Sequence, residues 1–193
     1  TWRGVIGGVS GKAQAQQLSE YLAELDSELP DDYLLYVKLH TVSNGEISVE
    51  DFSHIRLFPE DCETYEFLNA TDGLITDYSS VFFDYAVSGK KIILFTYDEE
   101  EYEAARGFYF PLSELPFPQA KTSEELLRHM KTEKDYDDTE FLATYCAYER
   151  ADVSASICKK LLFGGTEGIK TCEIPSNGKR NVVIFGGALH ENG

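Results

Sequence analysis

The run at residues 73–95, GLITDYSSVFFDYAVSGKKIILF, constrains the fold more than any other part of the chain. Gly73-Leu74-Ile75 and Lys91-Ile92-Ile93-Leu94-Phe95 have the length and apolar character of buried strands. Between them Val81, Phe82, Tyr85 and Ala86 recur at helical spacing, and Gly89 supplies the stop. Strands joined by a crossover helix run parallel. The polar turn Thr76-Asp77-Tyr78 follows the first strand, and Ser79 and Ser80 open the helix. Backbone N–H groups at a helix start lack intrahelical partners and sit at the positive end of the dipole. Hydroxyls placed there suit an anion. They also suit simple capping, and the turn alone leaves both readings open.

The flanking chain repeats the strand–helix alternation. Over residues 12–25, Ala15, Leu18, Leu22 and Leu25 mark an amphipathic helix, closed by Pro30-Asp31-Asp32. Residues 33–39 are nearly all apolar and read as a strand buried on both faces, ending at His40. A second strand is expected at 54–58, then a helix from Pro59 through Tyr65, Leu68 and Ala70. Beyond Phe95 an acidic segment at 98–103 leads to Arg106-Gly107-Phe108-Tyr109-Phe110. Pro111, Pro116 and Pro118 then mark an irregular connection. Helices are expected at 123–130, capped through Ser-Glu-Glu, and at 141–148 and 153–163.

This order predicts an α/β fold, a Rossmann-like parallel sheet with helices on both faces. Ligands of such sheets bind beyond the C-terminal ends of the strands, the rim on which His40 and the turn at 77–80 fall. Residues 1–163 are expected to form one domain and 164–180 a linker. Residues 181–193 read as an extra strand or the truncated start of a next domain.

Composition bounds the partners. A net charge of −17 argues against nucleic acid or an anionic membrane surface as a partner, yet leaves room for a small anion held by local donors. No apolar run reaches the roughly 18 residues of a membrane-spanning helix. The chain begins at Thr1 without a Met, as expected of an excised fragment. Cys62, Cys146, Cys158 and Cys172 form no Cys-x-x-Cys pair and have no histidine at ligand spacing. They read as reduced structural thiols, and neither a metal nor a cofactor is expected.

Four motifs in order carry a family resemblance. Thr1-Trp2-Arg3, Tyr36-Val37-Lys38-Leu39-His40, Ile75 through Asp84, and Asp98 through Tyr102 to Arg106-Gly107-Phe108-Tyr109-Phe110 together resemble the CDP-glycerol glycerophosphotransferases. The likeness covers roughly residues 1–163. It implies one half of a GT-B-type architecture, the C-terminal half that holds a CDP-alcohol such as CDP-glycerol. The polymer acceptor would come through a missing N-terminal domain, and membrane contact only through missing segments, at the cytoplasmic face. The implied reaction is attack by a polymer hydroxyl on the β-phosphorus, with CMP leaving. On this resemblance His40 is the catalytic residue. Ser79, Ser80, Arg106, Lys38 and Gly107 bind the donor phosphates, and Asp77 and Asp84 brace the turn from behind. Thr41, Pro111 and Phe117 depart from the family pattern, which leaves glycerol or ribitol open as the donor alcohol. A sugar-nucleotide glycosyltransferase domain and a catalytically degenerate interaction module of the same fold are the rival readings.

Overall fold

The structure, a computed structural model, describes residues 11–38, 48–170 and 178. Two compact units appear, Thr1–Glu149 and Arg150–Gly193.

In the first unit, helix α1 (Gly11–Glu28) precedes strands β1 (Leu35–Val37) and β2 (Ile55–Leu57), which pair in parallel with Leu35 opposite Ile55. Helix α2 (Thr64–Ala70) leads to β3 (Gly73–Thr76), α3 (Val81–Ala86) and β4 (Lys91–Phe95). Helix α4 (Glu99–Arg106), a 3-10 turn at Leu112–Glu114, β5 (Gln119–Ala120), α5 (Ser123–Lys131) and α6 (Thr139–Tyr145) complete it. Strands β3, β4 and β5 form a parallel sheet with β4 in the centre, so the expected α/β fold is the observed one.

Strand β4 shows why the layers assemble. Its side chains alternate between the two faces of the sheet. Ile93 and Phe95 pack with Leu22, Leu25 and Leu29 at α1 and with Leu126 and Leu127 of α5. Ile92 and Leu94 pack with Phe82, Tyr85 and Ala86 of α3 and with Phe141 of α6. A strand enclosed on both faces must be apolar throughout, and Ile92 and Leu94 are completely buried.

Several expectations need correction. The 33–39 stretch is not buried on both faces: Leu34 is 51% and Tyr36 39% exposed, and the described strand covers Leu35–Val37 alone. Helix α2 starts at Thr64 rather than at Pro59. Pro59 closes a turn through its carbonyl to the Cys62 N–H, and the Glu63 carboxylate then caps the helix at the Glu66 N–H, 2.9 Å. The cap of α5 is Thr122, whose hydroxyl accepts from the Glu125 N–H at 3.2 Å, while Glu125 reaches back to the Lys121 N–H at 2.8 Å. Ser123 is instead buried. Helix α4 and strand β5 lie where only an acidic run and a proline-broken connection were read.

In the second unit, α7 (Val153–Phe163) ends at Gly164, whose φ of 71° turns the chain out of the helix. Arg150 pairs with Asp152 at 2.7 Å and donates to the Gly168 carbonyl at 3.2 Å.

Candidate functional site

The turn at 77–80 sits at the C-terminal end of β3, between that strand and α3. Ser80 occupies the N-cap position of α3 with helical backbone angles and makes no side-chain cap bond. The Ser79 hydroxyl has only a long 3.5 Å contact from the Val81 N–H. Capping therefore does not account for the Ser80 hydroxyl, and Ser80 is exposed. Asp77 is half-buried and has interactions of its own.

Tyr78 joins this turn to a second element. Its ring stacks on Tyr102 of α4, with centroids 3.9 Å apart and planes 28° from parallel. Its hydroxyl donates to the Asp98 carboxylate at 3.0 Å. Phe108 closes the cluster, 5.5 Å from Tyr78 and 5.4 Å from Tyr102. Asp98, Tyr102 and Arg106 are each four residues apart, so a helix brings Tyr102 and Arg106 onto one face. The face that meets Tyr78 thus carries Arg106 one turn further on. Arg106 is exposed in the last turn of α4, where a cation complements the helix dipole.

Gly107 makes the return possible. Its angles, φ 70° and ψ 171°, belong to a region open essentially to glycine alone, and its N–H bonds the Glu103 carbonyl at 2.8 Å. The chain swings there so that Phe108 folds back on Tyr78 and Tyr102, while Tyr109 next to it is fully exposed. The structure thus joins the turn that carries Ser79 and Ser80 to the segment that carries Arg106 and Gly107 through the rings of Tyr78, Tyr102 and Phe108.

The other described candidates have partners of their own. Lys38 follows β1 and donates to the Thr64 hydroxyl at 2.8 Å, its ammonium 4.1 Å from the Phe58 ring centroid. Asp84 accepts from the Tyr65 hydroxyl of α2 at 3.2 Å, and this carboxylate pushes the Tyr65 phenol above its ordinary pKa. His40 and Thr41 lie outside the described residues. Pro111 precedes the 3-10 turn, and Phe117 is a core side chain beside Phe82 and Phe141.

A cavity of about 300 Å³ lies between α2 and α3, lined by Tyr65, Leu68, Asn69, Asp84, Tyr85, Val87 and Ser88. It takes in the end of α3, which runs back from the strand-end rim, so it is separate from the turn at 77–80. Among the described residues no group of His, Cys, Asp and Glu could hold a metal ion. No helix among them is long and apolar enough to cross a membrane. Cys62, Cys146 and Cys158 are free thiols, and burial pushes that of Cys146 up.

The sequence shows Tyr78 only as part of the polar turn and Tyr102 only as part of the motif from Asp98 to Phe110. The signal was present in the four-residue spacing of Asp98, Tyr102 and Arg106 ahead of a glycine, a helix stripe followed by its stop.

Comparison with known proteins shows the family. The chain is 36% identical over 138 residues to a teichoic acid poly(ribitol-phosphate) polymerase of Bacillus spizizenii, covering 64% of this chain and 21% of that protein. It is 30% identical over 169 residues to a teichoic acid poly(glycerol phosphate) polymerase of the same species, covering 84% and 43%. Among solved structures, that of the wall teichoic acid polymerase TagF superposes with a TM-score of 0.67 at 27% identity, over 81% of this chain and 40% of that one. A histidine-to-asparagine TagF variant soaked with CDPG superposes at 0.65 and 26% identity, with the same coverage. The chain thus spans less than half the length of these relatives. The profile of one family, CDP-glycerol:poly(glycerophosphate) glycerophosphotransferase, matches residues 1–163. With the parallel sheet, the serine turn and the Arg106–Gly107 return all inside that span, the chain belongs to the CDP-glycerol:poly(glycerophosphate) glycerophosphotransferase family.

Proposed function

We propose that this chain is the donor-binding part of a glycerophosphotransferase, holding the pyrophosphate of CDP-glycerol for transfer of glycerol phosphate to a teichoic-acid-type polymer. The observation that carries the reading is an uncapped Ser80 at a helix start beyond a strand end, in the turn whose Tyr78 stacks on the helix that carries Arg106. The Tyr78–Tyr102 stack joins the turn bearing Ser79 and Ser80 to the helix that carries Arg106. A diphosphate asks for hydroxyl and N–H donors on one side and a fork of guanidinium donors on the other. The transferred phosphoryl group needs little covalent help, so positioning and charge stabilisation are what such a site supplies.

In the reaction, a polymer hydroxyl oxygen forms the new bond to the β-phosphorus while the bond to CMP breaks. The hydroxyl proton goes to a base and the leaving phosphate is stabilised by donors. His40 is the residue of this chain assigned to that leaving group, by hydrogen bond or proton transfer, as its near-neutral ordinary pKa allows. Lys38 adds positive charge on the same strand end. Asp77 and Asp84 act through the backbone of the turn and through α2, since a carboxylate facing the diphosphate repels it. The acceptor side belongs to another domain, in keeping with one half of a GT-B-type architecture working at the cytoplasmic face of the membrane.

A ribitol donor is the second reading, favoured by the identity to the poly(ribitol-phosphate) polymerase. Calorimetry of the chain with CDP-glycerol, CDP-ribitol, CDP and UDP tests both. Binding of the CDP compounds in preference to UDP supports the donor site, and the tighter CDP-alcohol names the donor. If the folded chain binds none of them at millimolar concentration, the reading fails.

A further inference from the structure

We infer that the sheet holds a slot between β1 and β3, and that the polypeptide leading into α1 fills it as a central parallel strand. Strands β1 and β2 pair with each other, β3, β4 and β5 pair among themselves, and no described strand joins the two sets. Both sets nevertheless turn a face to the same helix. Leu35, Val37 and Ile55 from the first, and Ile75, Ile93 and Phe95 from the second, pack in one core with Leu22 and Leu25 of α1. One helical layer over both sets is the arrangement of a single interrupted sheet.

The ladder bonds locate the free backbone groups. The Leu35 N–H bonds the His54 carbonyl at 2.8 Å and the Phe58 N–H bonds the Val37 carbonyl at 2.9 Å, so Leu35 and Val37 face β2. Alternate residues of a parallel strand bond to alternate sides, which turns the N–H and C=O of Tyr36 away from β2. On β4 the Leu94 and Thr96 N–H groups bond the Pro118 and Ala120 carbonyls, so Ile93 faces β3. Ile75 stands opposite Ile93, whose bonds therefore go to Leu74 and Thr76, and the N–H and C=O of Ile75 point away from β4. Ile75 is half-buried, a depth at which backbone polar groups call for partners.

Handedness places the slot and names its occupant. Crossovers between parallel strands are right-handed, so those on one face of a sheet step in one direction and those on the other face step back. Helices α2 and α3 carry the steps from β2 to β3 and from β3 to β4, and Leu68, Phe82 and Tyr85 put both on one face. The step from β1 to β2 crosses the other face, where Val49 and Phe52 pack in the core of α1. The order is then β2, β1, slot, β3, β4, β5. Helix α1 lies on the face of the step from β1 to β2, so the strand feeding α1 enters β1 in that same direction. Its place is beside β1 on the side away from β2, which is the slot. Enclosed on both faces like β4, this strand is continuously apolar. The stepping direction reverses between it and β3, the point at which a parallel sheet opens its ligand crevice.

The test is hydrogen exchange at the Tyr36 and Ile75 amides, followed by NMR. It compares the protein with all of its sequence ahead of Gly11 against a version that starts at Gly11. In the intact protein both amides should exchange at least about a thousandfold slower than in a free peptide, as core strands do. Truncation should return both to within about tenfold of the free rate, while Leu94 and Thr96, bonded on the β5 side, stay protected. Fast exchange in the intact protein, or protection that survives truncation, overturns the inference. If the truncated protein fails to fold, proline substitution in the intact protein decides. Ile75→Pro deletes an N–H that β4 does not use, so at a free edge it should melt together with Ile75→Ala. In a filled slot it should melt at least about 5 °C lower. Equal melting temperatures overturn the inference.

Discussion

Replacing Ser80 with alanine separates a ligand-binding hydroxyl from a structural one, and Thr122→Ala in the same molecule supplies the scale. The Thr122 hydroxyl accepts the Glu125 N–H at 3.2 Å and caps α5 in the ordinary way. Its removal should cost about 1 kcal/mol. The Ser80 hydroxyl caps nothing. Its removal should cost less than about 0.5 kcal/mol, the range of an exposed substitution without a special contact. In urea denaturation followed by circular dichroism, Thr122→Ala should therefore shift the midpoint at constant slope, and Ser80→Ala should barely move it. Binding should show the reverse order. A hydrogen bond to a charged phosphate contributes about 1.5–3 kcal/mol, so Ser80→Ala should weaken CDP-glycerol binding at least about tenfold, while Thr122→Ala leaves it unchanged. If Ser80→Ala destabilises the fold as much as Thr122→Ala and leaves affinity intact, the serine is a cap and the argument for a phosphate site is refuted.

Two further outcomes follow from buried polar groups. Tyr136 has its phenol pushed up to about 12, chiefly by burial and then by nearby Asp138, although its oxygen accepts the Ile92 N–H at 2.7 Å. Its unfolded phenol ionises near pH 10, so this contribution is complete below that and is lost as pH rises from about 10 to 12, by at most about 2.7 kcal/mol and less after solvent screening of this half-buried group. Tyr136→Phe should flatten that alkaline limb in urea titrations, and should also lower neutral-pH stability by about 1–2 kcal/mol because the Ile92 N–H loses its acceptor. An alkaline limb unchanged in the variant would sink the assignment. Thr96, just past β4, is completely buried, and its hydroxyl has no partner. Thr96→Val keeps the shape and removes the desolvation penalty, so the melting temperature should rise, by about 1 kcal/mol of stability; a fall would mean that the hydroxyl is satisfied.

Legibility in the sequence followed burial. Strand β4 was readable to its ends because enclosure on both faces makes every residue from Ile92 to Phe95 apolar, and α3 was readable because Phe82, Tyr85 and Ala86 all face one core. Helix α4 was missed because it buries nothing and so shows no apolar period, only the acidic first turn Glu99, Glu100 and Glu101. Strand β5 escaped because two residues just after Pro118 carry no pattern, yet its bonds from Leu94 N–H to Pro118 carbonyl and from Thr96 N–H to Ala120 carbonyl complete the sheet edge beside β4.

By itself the sequence determined the parallel α/β class, the placement of the serine turn at a strand end, and the family, since these rest on local periodicity and on motifs in order. Only the tertiary structure decided that Ser80 is not a cap and that Tyr78 and Tyr102 stack. It also decided that Arg106 shares a helix with Tyr102, the ring that meets Tyr78. The stack depends on a contact between residues more than twenty positions apart in the chain, Tyr78 and Tyr102. No local pattern encodes such a contact, because it forms only when the sheet has brought the two strand ends and the helix after β4 to one rim.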